Sequence, residues 1–238
     1  MKLNRVLSIN GKPKQLVDDR VVLGLASPGA AQFTLVKTKD DAQLTDVVKK
    51  GDLVTFDLGW AKQAALQRLF IGWVTKVNPM DNKRVKILCT ELSGALRFNV
   101  PLDLRHVTLR DVLLQINKLT GLNFATPDAD YATRQAANFF NTGSGYQALE
   151  SIGRVFEIDD YMWQQQGGII YVGSWADSRW AAVDDMILPE KLFEGHSANE
   201  VSKLAAIPAL RPGVRINSRL VNRLDFSENK MTLSWAGL

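Results

Sequence analysis

Residues 1–96 are a succession of short β-strand patterns separated by turns, and this succession restricts the possible fold more than any other feature. β-Branched and aromatic residues are concentrated in six runs, which are LNRVLSI, RVVLGLA, QFTLVKT, DLVTFDLGW, RLFIGWVTKV and RVKILCTEL. The last two runs are joined by the turn residues NPMDN at 78–82, which predicts an antiparallel hairpin. This many short strands at this spacing predict a sandwich or a small barrel.

The apolar pattern changes to a helical period after residue 97, in the stretch HVTLRDVLLQINKLTGLNF. Thr108 is a predicted N-cap with Asp111 three residues later, and Gly121 is a predicted left-handed C-cap. The apolar face of this helix comprises Leu109, Val112, Leu113, Ile116 and Leu119. We expect the face to pack in a core and not to form a recognition groove.

A second helix with the same plan is predicted after Ser144, in GYQALESIGRVF. Its apolar face comprises Tyr146, Leu149, Ile152, Val155 and Phe156. Strands are predicted at FNVPLDL, at LNF, around residues 136–140, and in a closing hairpin formed by DDYMWQQ and GIIYVGS. Residues 97–174 therefore predict a compact α+β module.

The remaining residues, 175–238, begin with mixed signals up to about residue 195 and then return to β-strand patterns. The later runs are GVRINSRL, VNRLDF and KMTLSW. The strand–turn–strand pattern of the last two runs resembles that of residues 73–89. This likeness indicates that the two ends of the chain build one domain. The predicted fold class is a β-rich α+β protein, with a β-barrel domain from residues 1–96 and 175–238 interrupted by the α+β module at 97–174.

The composition restricts the compartment and the class of partner. A formal net charge of +4 in 238 residues is too small to indicate a nucleic-acid-binding surface. Cys89 is the single cysteine, which excludes an intramolecular disulfide and fits a reducing compartment. No apolar run has the length of a signal peptide or a membrane span, so we expect a soluble chain that is made in the cytoplasm.

The sequence contains few residues that could carry out catalysis. His106 and His196 lie outside any metal-ligand or catalytic spacing, and we expect both to serve turns or helix caps. Adjacent acids such as Asp18–Asp19 and Asp40–Asp41 point to opposite faces of a strand and do not form a dyad by themselves. Phosphate-binding and nucleophile-elbow motifs are absent from the sequence. We therefore predict no catalytic residue, no metal site and no cofactor.

Two of the six tryptophans, Trp175 and Trp180, lie in the irregular stretch that follows the predicted module. Aromatic residues are enriched at the cores of protein interfaces, so both are candidates for a subunit interface. The alternative is that they are buried within their own chain.

The middle of the chain resembles known domains. VPLDLRHVTLRDVLLQINKLTGLNFATPDAD and QALESIGRVFEIDDYMWQQQGGIIYVGS are similar to the small N-terminal domain of secretins and to the signalling domain of TonB-dependent receptors. The flanking segments lack the outer-membrane domain and the further modules of those proteins. The resemblance therefore implies the fold of the module rather than the function of a secretin.

The whole chain resembles the tail hub or baseplate hub proteins of tailed phages, including the Mu-like hub and its relatives in contractile injection devices. GDLVTFDL with LFIGWVTKV resembles the entry to the barrel of that family, and LRPGVRINSRLVNRLDF with MTLSW resembles its closing β segments. The resemblance implies a virion structural protein at the distal end of the tail, made in the host cytoplasm. It carries over no catalytic residue and no iron–sulphur cluster.

The same resemblance implies the partners. Three copies are expected to form a ring that joins the tail tube to the spike or fibre, beside the distal tail and tape-measure proteins. DNA is expected to pass through the lumen without base-specific contacts, and no stable insertion into a membrane is expected. The rival hypothesis is a stand-alone adaptor of a secretion or injection system that binds a partner strand or helix. A tail-associated cell-wall hydrolase is a third possibility.

Overall fold

The structure is a computed structural model and describes residues 2–37, 48–61, 65–194, 196–197 and 201–235. It divides into two compact units. The first unit comprises Met1–Gly24, Pro28–Glu91 and Asp185–Leu238, and the second comprises Leu25–Ser27 and Leu92–Asp184. Within the described ranges, no helix is long and apolar enough to cross a membrane.

The elements follow one another in this order. The strands are β1 (Leu3–Ile9), β2 (Lys12–Lys14), β3 (Leu16–Gly24), β4 (Ser27–Val36), β5 (Leu53–Trp60), β6 (Gln67–Pro79), β7 (Arg84–Glu91), β8 (Leu102–Val107), β9 (Asn123–Ala125), β10 (Ala136–Asn141), β11 (Tyr161–Gln166), β12 (Ile169–Ser174), β13 (His196–Ser197), β14 (Val201–Ala205), β15 (Arg215–Ile216), β16 (Arg219–Ser227) and β17 (Lys230–Trp235). The α-helices are α1 (Leu109–Thr120), α2 (Asp130–Thr133) and α3 (Gly145–Val155), and 3-10 helices lie at Leu92–Arg97 and Glu190–Leu192.

The first unit is built on one large sheet whose strand order is β13-β14-β17-β16-β3-β4-β7-β6-β5-β1-β2, with β15 paired to β16. Residues of β5 and β7 alternate between buried and more exposed positions, so one face of the sheet covers a core. The predicted hairpin of β6 and β7 is present and antiparallel. The chain is a β-rich α+β protein, as the sequence predicts.

This sheet curls until distant strands meet. β16 and β5 lie five steps apart in the strand order, which would be about 24 Å in a flat sheet. The ring centres of Phe56 on β5 and Phe226 on β16 are nevertheless only 6.0 Å apart. Phe33 on β4 lies 5.0 Å from Phe56, and the three side chains are fully buried. The curvature therefore encloses an aromatic core in the manner of a barrel.

The second unit contains a two-stranded sheet of β8 and β10 and a three-stranded sheet in the order β11-β12-β9. Helices α1 and α3 bury their apolar residues against these strands. Thr108 and Asp111 form a reciprocal capping box, Gly121 caps α1 with φ 72°, and Ser144 caps α3. These four predictions from the sequence are confirmed.

Three residues of the predicted helix faces are not part of the core. Leu119 is 56% exposed and Val155 is 38% exposed, while Tyr146 is only partly buried at the edge of the cluster. The predicted five-residue face of α1 is therefore wrong at Leu119. Successive residues turn by about 100° around a helix, which places Leu119 at the margin of the stripe that Leu109, Val112, Leu113 and Ile116 form. The core ends before this last turn, so that margin faces solvent.

Candidate assembly surfaces

The residues that the sequence offered for chemistry do not form a common site. His106 is exposed and has φ 50°, and it lies within β8, one residue before the strand ends, rather than in a turn or a helix cap as expected. Cys89 is buried, and burial raises the pKa of its thiol to about 12. In the part of the chain that the structure describes, no three His, Cys, Asp or Glu side chains are grouped as metal ligands. Asp40–Asp41 and the side chain of His196 lie outside the described residues.

Trp175 and Trp180 lie in the segment that follows β12 in the second unit. Trp180 is 9% exposed, and its indole Nε1 donates a hydrogen bond of 2.7 Å to Oε1 of Gln164 on β11. The Arg179 guanidinium lies 4.1 Å from the centre of the Trp180 ring. Trp175 is half-buried, and its backbone amide donates to the carbonyl of Asp160. A role of both tryptophans in a subunit interface stays a prediction.

A tyrosine network fixes the start of the same segment. The Tyr131 hydroxyl donates to Oδ2 of Asp177 at 2.8 Å and accepts from the backbone amide of Ser174 at 3.1 Å. Tyr171 donates to the Ser174 carbonyl at 2.7 Å. A Cβ at Gly173 would lie 2.9 Å from both hydroxyl oxygens, so the network requires glycine there. Burial raises the pKa of Tyr131 to about 12, which keeps this donor protonated.

The second unit also carries a groove of about 320 Å³ between α1 and the end of β9. Leu114 lines the groove from α1 and is 51% exposed, and Phe124 lines it from β9. The Thr126 hydroxyl oxygen, which also lines the groove, is buried and has no hydrogen-bond partner among the described residues. Since β9 is the last strand of its sheet, this groove could receive an extended segment or a helix.

On the first unit, an outward-facing row of residues crosses four strands. Leu53 on β5 is opposite Trp73 on β6, Trp73 is opposite Thr90 on β7, and Thr90 is opposite Ala30 on β4. Leu53 is 41% exposed and Trp73 is half-buried. A largely apolar row on the outside of a curled sheet is a candidate contact surface.

A cleft of about 520 Å³ lies where β1 and β3 separate. It is lined by residues 2–6, Leu16 and Leu66, and we call it the β1–β3 cleft. Arg5 of β1 forms an ion pair of 2.8 Å with Oδ2 of Asp19 on β3. The Asp19 side chain is fully buried, and burial raises the pKa of Asp19 against the lowering effect of the Arg5 charge.

A short extended stretch, residues 186–188, forms another exposed feature of the first unit. We call it the 186–188 segment. Met186 forms a parallel bridge with Ile216, and Asn217 binds the backbone of Leu188 through both atoms of its amide group. Ile187, between these anchored residues, is 74% exposed. Sequence periodicity does not reveal this feature, because it depends on pairing with residues about thirty positions away.

Proteins with the same arrangement are known among phage tails. The structure matches the 43 kDa tail protein of prophage MuSo2 from Shewanella oneidensis with a TM-score of 0.71, over 99% of this chain and 98% of that protein, at 13% sequence identity. It matches an Escherichia coli component of the type VI secretion system, itself described as similar to phage T4 tail proteins, with a TM-score of 0.65 over 98% of this chain and 76% of that protein, at 11% identity. The chain thus has the fold of phage tail proteins.

A relative by sequence also comes from a phage. The chain is 31% identical over 235 residues to an uncharacterized 58.7 kDa protein of Haemophilus phage HP1. The match covers 98% of this chain but 42% of that protein, so the chain spans less than half the length of its relative. No protein-family model matches the sequence. The tail-protein resemblance of the sequence is confirmed at the level of the fold, whereas the likeness of the middle module to secretins stays a prediction.

Proposed function

We propose that the chain is a structural component of a phage tail, acting as a hub at the distal end of the tail tube. The observation that carries the proposal is the fold match to the MuSo2 tail protein, which extends over nearly the whole length of both chains. In this proposal the protein has no catalytic activity of its own, and its location is the virion.

The expected assembly is a ring of three copies that joins the tube to a spike or fibre and lines the DNA path. The curled sheet of the first unit would continue the lumen. A curled sheet with exposed surface rows suits ring formation, because neighbouring subunits can cover those rows. The small net charge of +4 suits a lumen through which DNA moves without being held.

The test is the molecular mass of the purified chain, measured by analytical ultracentrifugation across a wide range of concentration, together with electron microscopy of particles. A species of three chain masses that forms rings is the expected result. A strict monomer at high concentration that yields no ring with purified tail tube would contradict the proposal.

A second candidate is an adaptor of an injection system, and the groove between α1 and β9 favours it. Leu114 and Phe124 offer apolar contacts beside polar side chains such as Asn117, and the Thr126 hydroxyl has no partner among the described residues, which suits a bound peptide segment. This candidate predicts that Leu114→Asp abolishes capture of one partner while the mass of the chain itself stays that of a monomer. A ring whose formation is insensitive to Leu114→Asp would favour the hub.

A further inference from the structure

The β1–β3 cleft lies between one edge of β1 and one edge of β3, and each edge is unpaired along part of its length. β1 pairs with β5 along its whole length, but its pairing with β2 covers only residues 7–9. β3 pairs with β16 only from Arg20 onward. In the ranges that the structure covers, residues 3–6 of β1 and 16–19 of β3 are therefore not paired to each other or to a strand between them.

The cleft is crossed by a side-chain ion pair and by no backbone hydrogen bond among the described residues. A strand placed between β1 and β3 would need about 10 Å, since neighbouring strands lie about 4.8 Å apart. Here a long arginine side chain, that of Arg5, reaches across to Asp19. The second carboxylate oxygen of Asp19, Oδ1, is buried and has no hydrogen-bond partner within the described residues. An incoming backbone N–H or polar side chain would satisfy this acceptor.

The 186–188 segment has the properties of the missing strand. Met186 donates to the Arg215 carbonyl at 3.0 Å and accepts from the Asn217 amide at 3.1 Å. Leu188 is held on the same side by the Asn217 side chain, with both hydrogen bonds at 2.9 Å. Alternate residues of an extended chain point their backbone groups in opposite directions, so the N–H and C=O of Ile187 point away from this anchor.

The turn that holds the segment is itself well defined. Asn217 and Ser218 have φ values of 49° and 64°, which are those of a tight hairpin turn between β15 and β16. Ser218 donates to Oδ2 of Asp185 through its backbone amide at 2.7 Å and its hydroxyl at 3.1 Å. The segment is therefore held at Met186 and at Leu188 before any partner binds, which lowers the entropy cost of binding.

The charges of the two surfaces are complementary. The cleft is lined by Lys2 and Arg5, and the adjoining β2 carries the exposed Lys12. The 186–188 segment is preceded by the exposed Asp184 and followed by the exposed Glu190, whereas the carboxylate of Asp185 is held by Ser218. Ile187 is 74% exposed in its own chain, so we take a second copy of this chain, which carries the oppositely charged cleft, as the partner of the segment.

We infer that the 186–188 segment of one copy binds as an added strand in the β1–β3 cleft of the next copy, with Ile187 in the cleft. The donor and acceptor surfaces are different parts of the same unit. Such a head-to-tail contact generates a closed ring when the rotation between copies fits. The inference rests on the proposed ring and specifies which surfaces form it.

The experiment is disulfide crosslinking of the full chain. The double variant Asn4→Cys with Ile187→Cys places one thiol in the cleft and one on the segment, and the native Cys89 is buried. Mild oxidation should give a covalent ladder up to the mass of the ring on a non-reducing gel. The matched control, Met80→Cys with Ile187→Cys, uses an exposed residue in the turn between β6 and β7 and should give no ladder.

A second measurement does not depend on thiols. Ile187→Asp should weaken association at least tenfold in analytical ultracentrifugation, while Met80→Asp should leave it unchanged and both retain the circular dichroism of the parent chain. A ring that forms normally but crosslinks no better than the control overturns this inference and leaves the hub intact. A parent chain that stays monomeric overturns the inference and the proposed function together.

Discussion

Replacing Glu91 by glutamine tests whether the first unit buries a carboxyl group that resists ionisation. Glu91 lies at the end of β7 with 8% of its surface exposed, and its Oε2 accepts a hydrogen bond of 2.6 Å from the amide of Gly29. A Cβ at Gly29 would lie 2.7 Å from the Glu91 carboxyl carbon, so the backbone of β4 approaches very closely. Burial raises the pKa of Glu91 to about 7, although the Gly29 hydrogen bond and the charge of Arg211 act to lower it.

The pKa of Glu91 determines the sign of the pH dependence. Its ordinary value of 4.5 applies to the unfolded chain, and about 7 applies to the folded chain. Between these pH values the folded state binds more protons, so the free energy of unfolding decreases as the pH rises through this window. At about 1.4 kcal/mol for each unit of pKa, the decrease from pH 4.5 to pH 7 amounts to about 3 kcal/mol. Glutamine is neutral throughout and still accepts the Gly29 hydrogen bond, so Glu91→Gln should lack this decrease.

The assay is urea unfolding of the parent chain and of Glu91→Gln at a series of pH values between about 4 and about 9. Tryptophan fluorescence monitors the unfolding. Asp19 also has a raised pKa, but it is present in both proteins and cancels in the difference between them. Glu228→Gln, at an exposed glutamate in the turn between β16 and β17, is the matched control and should follow the parent chain. Parallel stability curves for the parent and Glu91→Gln would refute the reasoning.

Three further predictions concern local structure. Leu113→Asp buries a charge in the core of the second unit and should lower the free energy of unfolding by about 4 kcal/mol or more. Leu114→Asp, at a position that is 51% exposed, should leave it nearly unchanged. A folded, protease-resistant Leu113→Asp variant would overturn the core assignment. Gly121→Ala should destabilise the second unit by about 1 kcal/mol, because φ is 72° and the cost is conformational, and equal urea midpoints would contradict it. Cys89 should not react with Ellman's reagent at about pH 8 in the folded chain, since burial raises the pKa of its thiol to about 12. It should react at once when guanidinium unfolds the chain. Rapid reaction of the folded chain would show that the thiol is accessible.

Local chemistry explains why the second unit could be predicted well. Thr108, Gly121 and Ser144 act through hydrogen bonds and backbone angles within a few residues of themselves. The runs in residues 1–96 are likewise predicted to be β-strands from local features, namely the alternation of apolar and polar residues and the content of β-branched residues. What such patterns leave open is where an apolar face ends, and Leu119 shows this, since the extent of the core decides its exposure.

The candidate surfaces depend on contacts between distant residues and could not be read from the sequence. Gly29 and Glu91 are 62 residues apart, and Leu188 is bound by Asn217 across 29 residues. One side of the β1–β3 cleft is the part of β3 that precedes its pairing with β16, a strand near the other end of the chain. Short turns predict hairpins such as that of β6 and β7. For strands that are distant in the sequence, the pattern does not indicate which become neighbours, because any two such strands can form the same backbone hydrogen bonds.

The sequence by itself determined the β-rich α+β class, the two main helices with their caps, and a resemblance to phage tail proteins. The tertiary structure alone decided the order of the strands, the curvature that brings Phe56 onto Phe226, and the exposure of Ile187. The physical reason is range: caps and periodicity act within a few residues, whereas burial and curvature arise when the whole sheet closes over its core.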